Sequence, residues 1–228
     1  MEEKMKVISY MKIDYMLTRQ QLRIMLPIAI VAVLVGKGMD GMGVMVSCCY
    51  MLFVATLFST APFGACHRKN TGFLLMLPGT VTERVTGRFL YGLSYIVMTV
   101  IICLAGMGVY GLLGHEITRL SVGLFLCNVA LSIVIVALEY LISYLFGEGK
   151  NNWQYLGNIV RIAPGMGMFF LFMFILRKAD EEAYAMDRLV FLTEKIMSAG
   201  LVALAAALLI MALAVFICVK VIEKRDYA

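Results

Sequence analysis

Residues 89–113 read FLYGLSYIVMTVIICLAGMGVYGLL, twenty-five positions without a charged side chain, bounded by Arg88 on one side and Gly114-His115 on the other. A helix of that length rises about 37 Å, enough to cross the roughly 30 Å hydrocarbon core of a bilayer. Its apolar residues form no single stripe, so no face is left for water, and hydrocarbon is the solvent that suits the run. The rest of the chain repeats the pattern. Of 228 residues, 62% are apolar and 15% charged, against about half and a quarter in a soluble domain. Mean hydropathy is +0.89. These values exclude a water-soluble fold, and the length predicts one helical bundle with no separate soluble domain.

Four further runs have spanning length, 43–63, 120–146, 153–176 and 199–222, and a sixth, 22–36, is shorter. The short run crosses only if Arg23 and Lys37 draw their charges to opposite interfaces along their aliphatic stems. Basic residues are retained on the cytosolic side of short loops, and their placement decides the matter. Six spans with a cytosolic start put fourteen Lys and Arg inside, five of them (Lys4, Lys6, Lys12, Arg19, Arg23) ahead of the crossing, and six outside, four of these between 177 and 198. Five spans would turn the basic N-terminal segment outward. The expected architecture is therefore an all-α integral membrane protein with six transmembrane helices and both termini in the cytosol.

A net charge of +5 does not point to nucleic acid, because the basic residues sit between apolar runs rather than on one exposed face. Cys48, Cys49, Cys66, Cys103, Cys127 and Cys218 lie in or beside those runs, with no C-x-x-C pair and no His at ligand spacing. They read as reduced packing residues, and no metal site is expected. The polar segment ahead of the first run, and the lack of an A-x-A site after it, argue against a cleaved signal peptide.

Residues 1–21 read as an elbow helix on the inner membrane surface, with Lys12, Arg19 and the adjoining Arg23 toward lipid phosphates and Ile8, Met11 and Tyr15 toward the acyl boundary. A polar tail that merely obeys the charge rule is the alternative. Between the second and third spans, residues 65–88 open on His67-Arg68-Lys69-Asn70, continue as a short apolar turn, and are cut by Pro78-Gly79. Thr80-Val81-Thr82-Glu83 then fits a capping box, in which the Thr hydroxyl and the Glu carboxylate satisfy free amides at a helix start. The third helix is predicted to begin at Thr80, so about two turns project into the cytosol before Phe89 enters the membrane, with Arg84 and Arg88 on one face. Those arginines serve either another protein or lipid phosphates.

The segment Leu77-Pro78-Gly79-Thr80-Val81-Thr82-Glu83-Arg84-Val85-Thr86-Gly87-Arg88-Phe89 resembles the L-P-x-[ST]-x-x-E-x-V-x-x-[KR]-[YF] stretch of bacterial type-2 ABC transporter permeases. It matches at Leu77, Pro78, Thr80, Glu83, Val85, Arg88 and Phe89, and differs at Val81, Thr82 and Arg84, where the family often has a basic pair and a hydrophobe. The setting is similar too: a basic elbow helix, six spans, this motif between spans two and three, and an extracellular segment between five and six. The resemblance covers nearly the whole chain. It implies a bacterial plasma-membrane subunit that pairs with a second permease chain, as a homodimer or with a paralogue, and with two copies of an ABC ATPase subunit. Leu77, Pro78, Thr80, Glu83, Arg84, Val85 and Arg88 would then form the coupling helix against that ATPase. ATP and Mg would be bound by the partner subunit, and no cofactor by this chain. Consistently, no G-x-x-x-x-G-K-[ST] occurs, and Gly147-Glu148-Gly149-Lys150 lacks the loop length to wrap phosphates.

Glu139 and Arg161 are charges inside predicted spans, each eight positions from its span's end if spans four and five form a tight antiparallel hairpin. Three roles are open to them: an intramembrane ion pair, snorkelling to the interface, or a substrate or proton site. Gly108, Gly111 and Gly114, and Ala199, Ala203 and Ala207, offer small surfaces for close helix packing. The eighteen methionines fill irregular gaps or line a route for an apolar substrate. Residues 177–198 read as short helices dipping into the outer leaflet, or as a solvated loop. The expected function is the permease of an ATP-driven exporter for an amphipathic peptide or other hydrophobic substrate. A non-transporting sensor or immunity subunit would share the topology. An intramembrane enzyme using Glu139 with His67 or His115 is disfavoured, because the two histidines fall near opposite surfaces.

Overall fold

The computed structural model describes residues 2–19, 40–59, 79–112, 119–146 and 186–226, with the single positions 23, 27, 62 and 159. Its elements are α-helices: α1 (Glu2–Leu17), α2 (Asp40–Ser59), α3 (Val81–Leu112), α4 (Arg119–Phe146) and α5 (Met186–Asp226). The segments Val81–Leu112, Arg119–Leu145 and Glu194–Lys224 are long and apolar enough to cross a membrane, and Ser47–Ser59 is a shorter apolar helix. The expected runs 22–36 and 153–176 lie outside the described residues, apart from positions 23, 27 and 159.

Side-chain contacts set the direction of each helix. Cys103 of α3 reaches the Cys48 carbonyl of α2 at 4.0 Å, while Ala55 packs with Tyr91 and Tyr95, so α2 and α3 are antiparallel. The Phe89 and Tyr140 rings meet edge to face at 5.0 Å, and Leu120 and Leu124 share a core with Cys103 and Met107, which makes α3 and α4 antiparallel as well. The last pair is different. Gly123 near the start of α4 touches Ile196 and Met197, and Tyr144 near its end faces Cys218, so α4 and α5 run in the same direction. One end of the bundle, here called its base, therefore gathers α1, the start of α3 and the ends of α2, α4 and α5.

In hydrocarbon, helices gain little by hiding apolar surface from one another, and association rests on close packing and on buried polar bonds. Both are present. A Cβ at Gly92 would fall 2.7 Å from the Tyr140 hydroxyl, and one at Gly200 would fall 3.0 Å from the Gly123 carbonyl oxygen, so glycine allows contact at each crossing. The Tyr140 hydroxyl donates to the Ser59 carbonyl at 2.5 Å, tying α4 to the end of α2. Of the expected alanine surface, Ala207 is buried, Ala203 partly buried and Ala199 exposed. Gly108 has no described atom within 4 Å of a built Cβ. Outward, Leu201, Val202, Leu208, Leu209, Leu213 and Phe216 of α5 are exposed, a surface suited to hydrocarbon.

Two expectations change. Short helices were expected before the last span, but α5 runs unbroken from Met186 through Asp226. No proline occurs in that stretch and Gly200 is its single glycine, so nothing interrupts the hydrogen-bond ladder. In α1, Met11 and Tyr15, expected toward an acyl boundary, are partly buried within the protein. Both pack on Tyr91 and Tyr95 of α3, and Ile8 is the exposed residue.

Candidate functional site

Thr80 stands just ahead of α3, where the first amides of a helix lack intrahelical acceptors. The Glu83 N–H donates to Thr80 Oγ1 at 3.2 Å, and the Thr80 N–H donates to Glu83 Oε2 at 2.9 Å. This is the reciprocal pair that the Thr80–Glu83 spacing predicts. The Arg84 N–H then closes the first turn on the Thr80 carbonyl at 3.2 Å.

The turns between Thr80 and Phe89 have two faces. Glu83, Val85, Gly87 and Phe89 are buried, Gly79, Thr80 and Thr82 are exposed, and Arg84 and Arg88 lie between these extremes. Val85 belongs to the apolar core. Arg84 has a buried Nε with no acceptor among the described residues. Leu77 and Pro78 lie outside the described residues.

The buried face is covered by α1. A Cβ at Gly87 would meet the Tyr10 Cβ at 2.7 Å and the Val7 carbonyl oxygen at 3.1 Å, so the two helices touch there backbone to backbone. Further contacts join the later part of α1 to the turns of α3 beyond Phe89. Tyr15 bonds Ser94 through their hydroxyls at 2.5 Å and stacks on Tyr95 at 5.8 Å. Thr18, at the end of α1, bonds the Tyr91 hydroxyl at 2.7 Å. Burial beside this surface pushes the Tyr10 phenol up, with Arg84 opposing the shift and Glu83 adding to it.

Within this interface Asp14 is 2% exposed, and its Oδ2 lies 3.7 Å from Arg88 Nε. Burial raises the Asp14 carboxyl to about 6, against the lowering effect of the Arg88 guanidinium. Tyr140 and Tyr144 of α4 face the same pair, and Tyr144 is hydrogen-bonded to Arg88. Asp14 carries no motif. Its signal in the sequence is that it is the lone acid between Lys4 and Arg23, spaced by four from Tyr10 and from Thr18.

Glu139 is also buried, at 3% exposure, on α4, with the Ser143 hydroxyl donating to its backbone carbonyl at 2.8 Å. Arg161 lies outside the described residues. No group of three or more His, Cys, Asp and Glu that could hold a metal occurs among the described residues.

A model of the ABC-2 family transporter proteins matches residues 11–223, nearly the full chain. The chain belongs to the ABC-2 transporter family. No curated protein and no solved structure matches it. An ABC-2 chain is the membrane-embedded permease component of an ABC transporter, and the family implies association with an ABC ATPase. The match begins at Met11, within α1, so Asp14, Tyr15 and Thr18 fall inside the family's extent, while Val7 and Tyr10 lie just ahead of it.

Proposed function

We propose that this ABC-2 permease is the transmembrane half of a bacterial exporter, crossing the plasma membrane six times with both termini cytosolic. Two permease chains, each served by an ATPase subunit that binds ATP and Mg, would form a path for an amphipathic peptide or another hydrophobic substrate. Residues 77–88 act as the coupling segment, with α1 as the elbow helix beside it.

The observation that carries this reading is the reciprocal cap at Thr80 and Glu83 on an unbroken 32-residue helix. Such a helix is a rod about 48 Å long. Its capped end leaves Gly79, Thr80 and Thr82 exposed, with Arg84 partly exposed beside them, which suits a partner surface.

Chain direction supports the number of spans. The parallel run of α4 and α5 is the arrangement that one span over 153–176 between them would give. Sidedness draws support from the base, where Lys12, Arg19, Arg84, Arg88, Lys220 and Lys224 gather with both ends of the described chain. We further propose Arg161 as the partner of Glu139, since a carboxylate buried in an apolar span is kept neutral or paired.

The test is co-purification of the permease with its cognate ATPase and measurement of permease-stimulated ATP hydrolysis in nanodiscs. Arg84→Glu is expected to abolish stimulation while the permease still reaches the membrane in normal amount. Full stimulation by Arg84→Glu would overturn the coupling assignment.

A further inference from the structure

We propose that the outward stripe of α1 is a binding site for anionic phospholipid headgroups, and that the lipid it holds anchors the base of α3 in the inner leaflet. This rests on the elbow role of α1 and the coupling role of residues 77–88 proposed above. Ile8, Lys12 and Met16 recur at four-residue spacing on α1, and Arg19 and Arg23 follow at three and four residues past them. All five are exposed, Ile8 at 49% and Met16 at 75%. At 3.6 residues per turn Ile8, Lys12 and Met16 share an arc of about 80°, on the opposite side of the helix from the buried Tyr10 and Asp14. Cations and apolar side chains therefore alternate on the side of α1 turned away from α3.

That alternation names the occupant. Between Lys4 and Arg23 the lone acid is Asp14, buried on the α3 side, so the segment lends its outer stripe no carboxylate. A second copy meeting the stripe about a two-fold axis would set cation against cation. An acidic protein or a free phosphate would satisfy Lys12, Arg19 and Arg23 but leave Ile8 and Met16 in water. A bilayer interface takes both kinds of side chain, headgroup phosphates for the cations and acyl chains for Ile8 and Met16. Each Lys or Arg near an anionic membrane surface strengthens attachment to it by about fivefold.

Lipid held on α1 acts on α3 because the two helices are joined on the other face. Their backbones touch at Gly87, Tyr15 bonds Ser94, and Thr18 bonds Tyr91. With headgroups bound, this joint is held at the inner leaflet and a push at Thr80 tilts α3 about it. Without them the joint shifts through the interface as a whole, and less of the push becomes tilt. Coupling to the ATPase therefore depends on anionic lipid.

The experiment places the full-length permease carrying Met16→Trp in phosphatidylcholine nanodiscs and titrates in brominated phosphatidylglycerol or brominated phosphatidylcholine. Emission of the unsubstituted chain, from its single tryptophan, is subtracted. Half-quenching should need about fivefold less of the anionic lipid, and the difference should fade in 1 M salt, where the screening length falls to about 3 Å. Adding Lys12→Gln, Arg19→Gln and Arg23→Gln should make the two lipids equal. Lys220→Gln with Lys224→Gln, which removes two exposed cations at the end of α5, should leave the preference intact. The salt arm needs no charge substitution, so it decides the matter even if the triple variant is unstable. Equal quenching by both lipids overturns headgroup recognition, and no quenching by either shows that a protein covers the stripe instead. With the cognate ATPase added, phosphatidylglycerol should raise stimulated ATP hydrolysis in the wild type and not in the triple variant. An equal rise in both overturns the anchoring step. Quenching is read on the permease alone, so full stimulation by Arg84→Glu beside an intact lipid preference would sink the coupling reading and leave the lipid site standing.

Discussion

Replacing Gly87 by alanine probes the joint between α1 and α3. The added Cβ would lie 2.7 Å from the Tyr10 Cβ and 3.1 Å from the Val7 carbonyl oxygen, where carbon atoms prefer separations of about 3.5–4.0 Å. Neither obstacle is the far end of a flexible side chain, so α1 itself must move away by on the order of 0.5–1 Å. Overpacking of this kind costs about 1–3 kcal/mol. Alanine also gains up to about 1 kcal/mol over glycine in a helix, which would mask part of the loss. Gly106 supplies the matched control, because it lies on the same helix and a Cβ there meets no described atom within 4 Å. Subtracting one variant from the other removes the shared propensity term and leaves the clash. Cys48, Cys103 and Cys218 are buried thiols, and the temperature at which they react with a maleimide dye reports unfolding. At roughly 2–4 °C per kcal/mol for a chain of this size, Gly87→Ala should unfold about 2–12 °C below Gly106→Ala. Equal unfolding temperatures for the two variants would refute the backbone contact between α1 and α3.

Thr80→Ala should cost about 1 kcal/mol through loss of the cap, while Thr80→Ser should keep most of it; the thiol-reaction temperature of the two variants distinguishes them. Tyr140→Phe leaves the Ser59 carbonyl without the 2.5 Å bond that it accepts inside the bundle, so about 1–3 kcal/mol should be lost. An unchanged unfolding temperature in Tyr140→Phe would show that the α2–α4 contact does not depend on that bond.

What could be read from the residues alone was what depends on local chemistry. The charge-free run after Arg88 and the Thr80–Glu83 spacing each prescribe a structure within a few residues, and α3 starts at Val81 with both cap bonds in place. The same holds for α4, whose bounds at Arg119 and Phe146 fall within a residue of the run read as a span. The role of α1 was not legible, because the usual signal is inverted there. Its buried face carries Tyr10, Asp14 and Thr18, and its exposed face includes Ile8 and Met16. A stripe search for apolar residues therefore points the helix the wrong way. Polar residues choose that face because their partners, Arg88, Tyr91 and Ser94, lie on a different element 73 or more positions along the chain. Of the small-residue surfaces, Ala207 is buried in the bundle and Ala203 packs against its core. Gly200, not singled out in the sequence, is the glycine that packs on α4, against Gly123, Leu126 and Cys127, because that contact depends on a different element.

The distribution of contacts along α3 bears on how the helix could move. Near its start the neighbours are held by directional bonds, Tyr15 to Ser94 and Thr18 to Tyr91, with the Arg88–Asp14 ion contact at 3.7 Å beside them. Beyond about Val97 the character changes. Met98, Ile101, Leu104, Val109 and Leu112 are exposed, and a Cβ at Gly106 or Gly108 meets no described atom. Directional bonds resist sliding because each must break before it can re-form, whereas contacts between apolar groups and lipid chains exchange at little cost. A displacement delivered at Thr80 would therefore carry α1 with the base of α3 and spend itself as tilt at the far end. The far end is still tied to α2 through Cys103 and the Cys48 carbonyl at 4.0 Å, a weak thiol bond, so the two ends need not respond alike to force. On the coupling role proposed above, this makes the base the place where the stiffness of the lever is set.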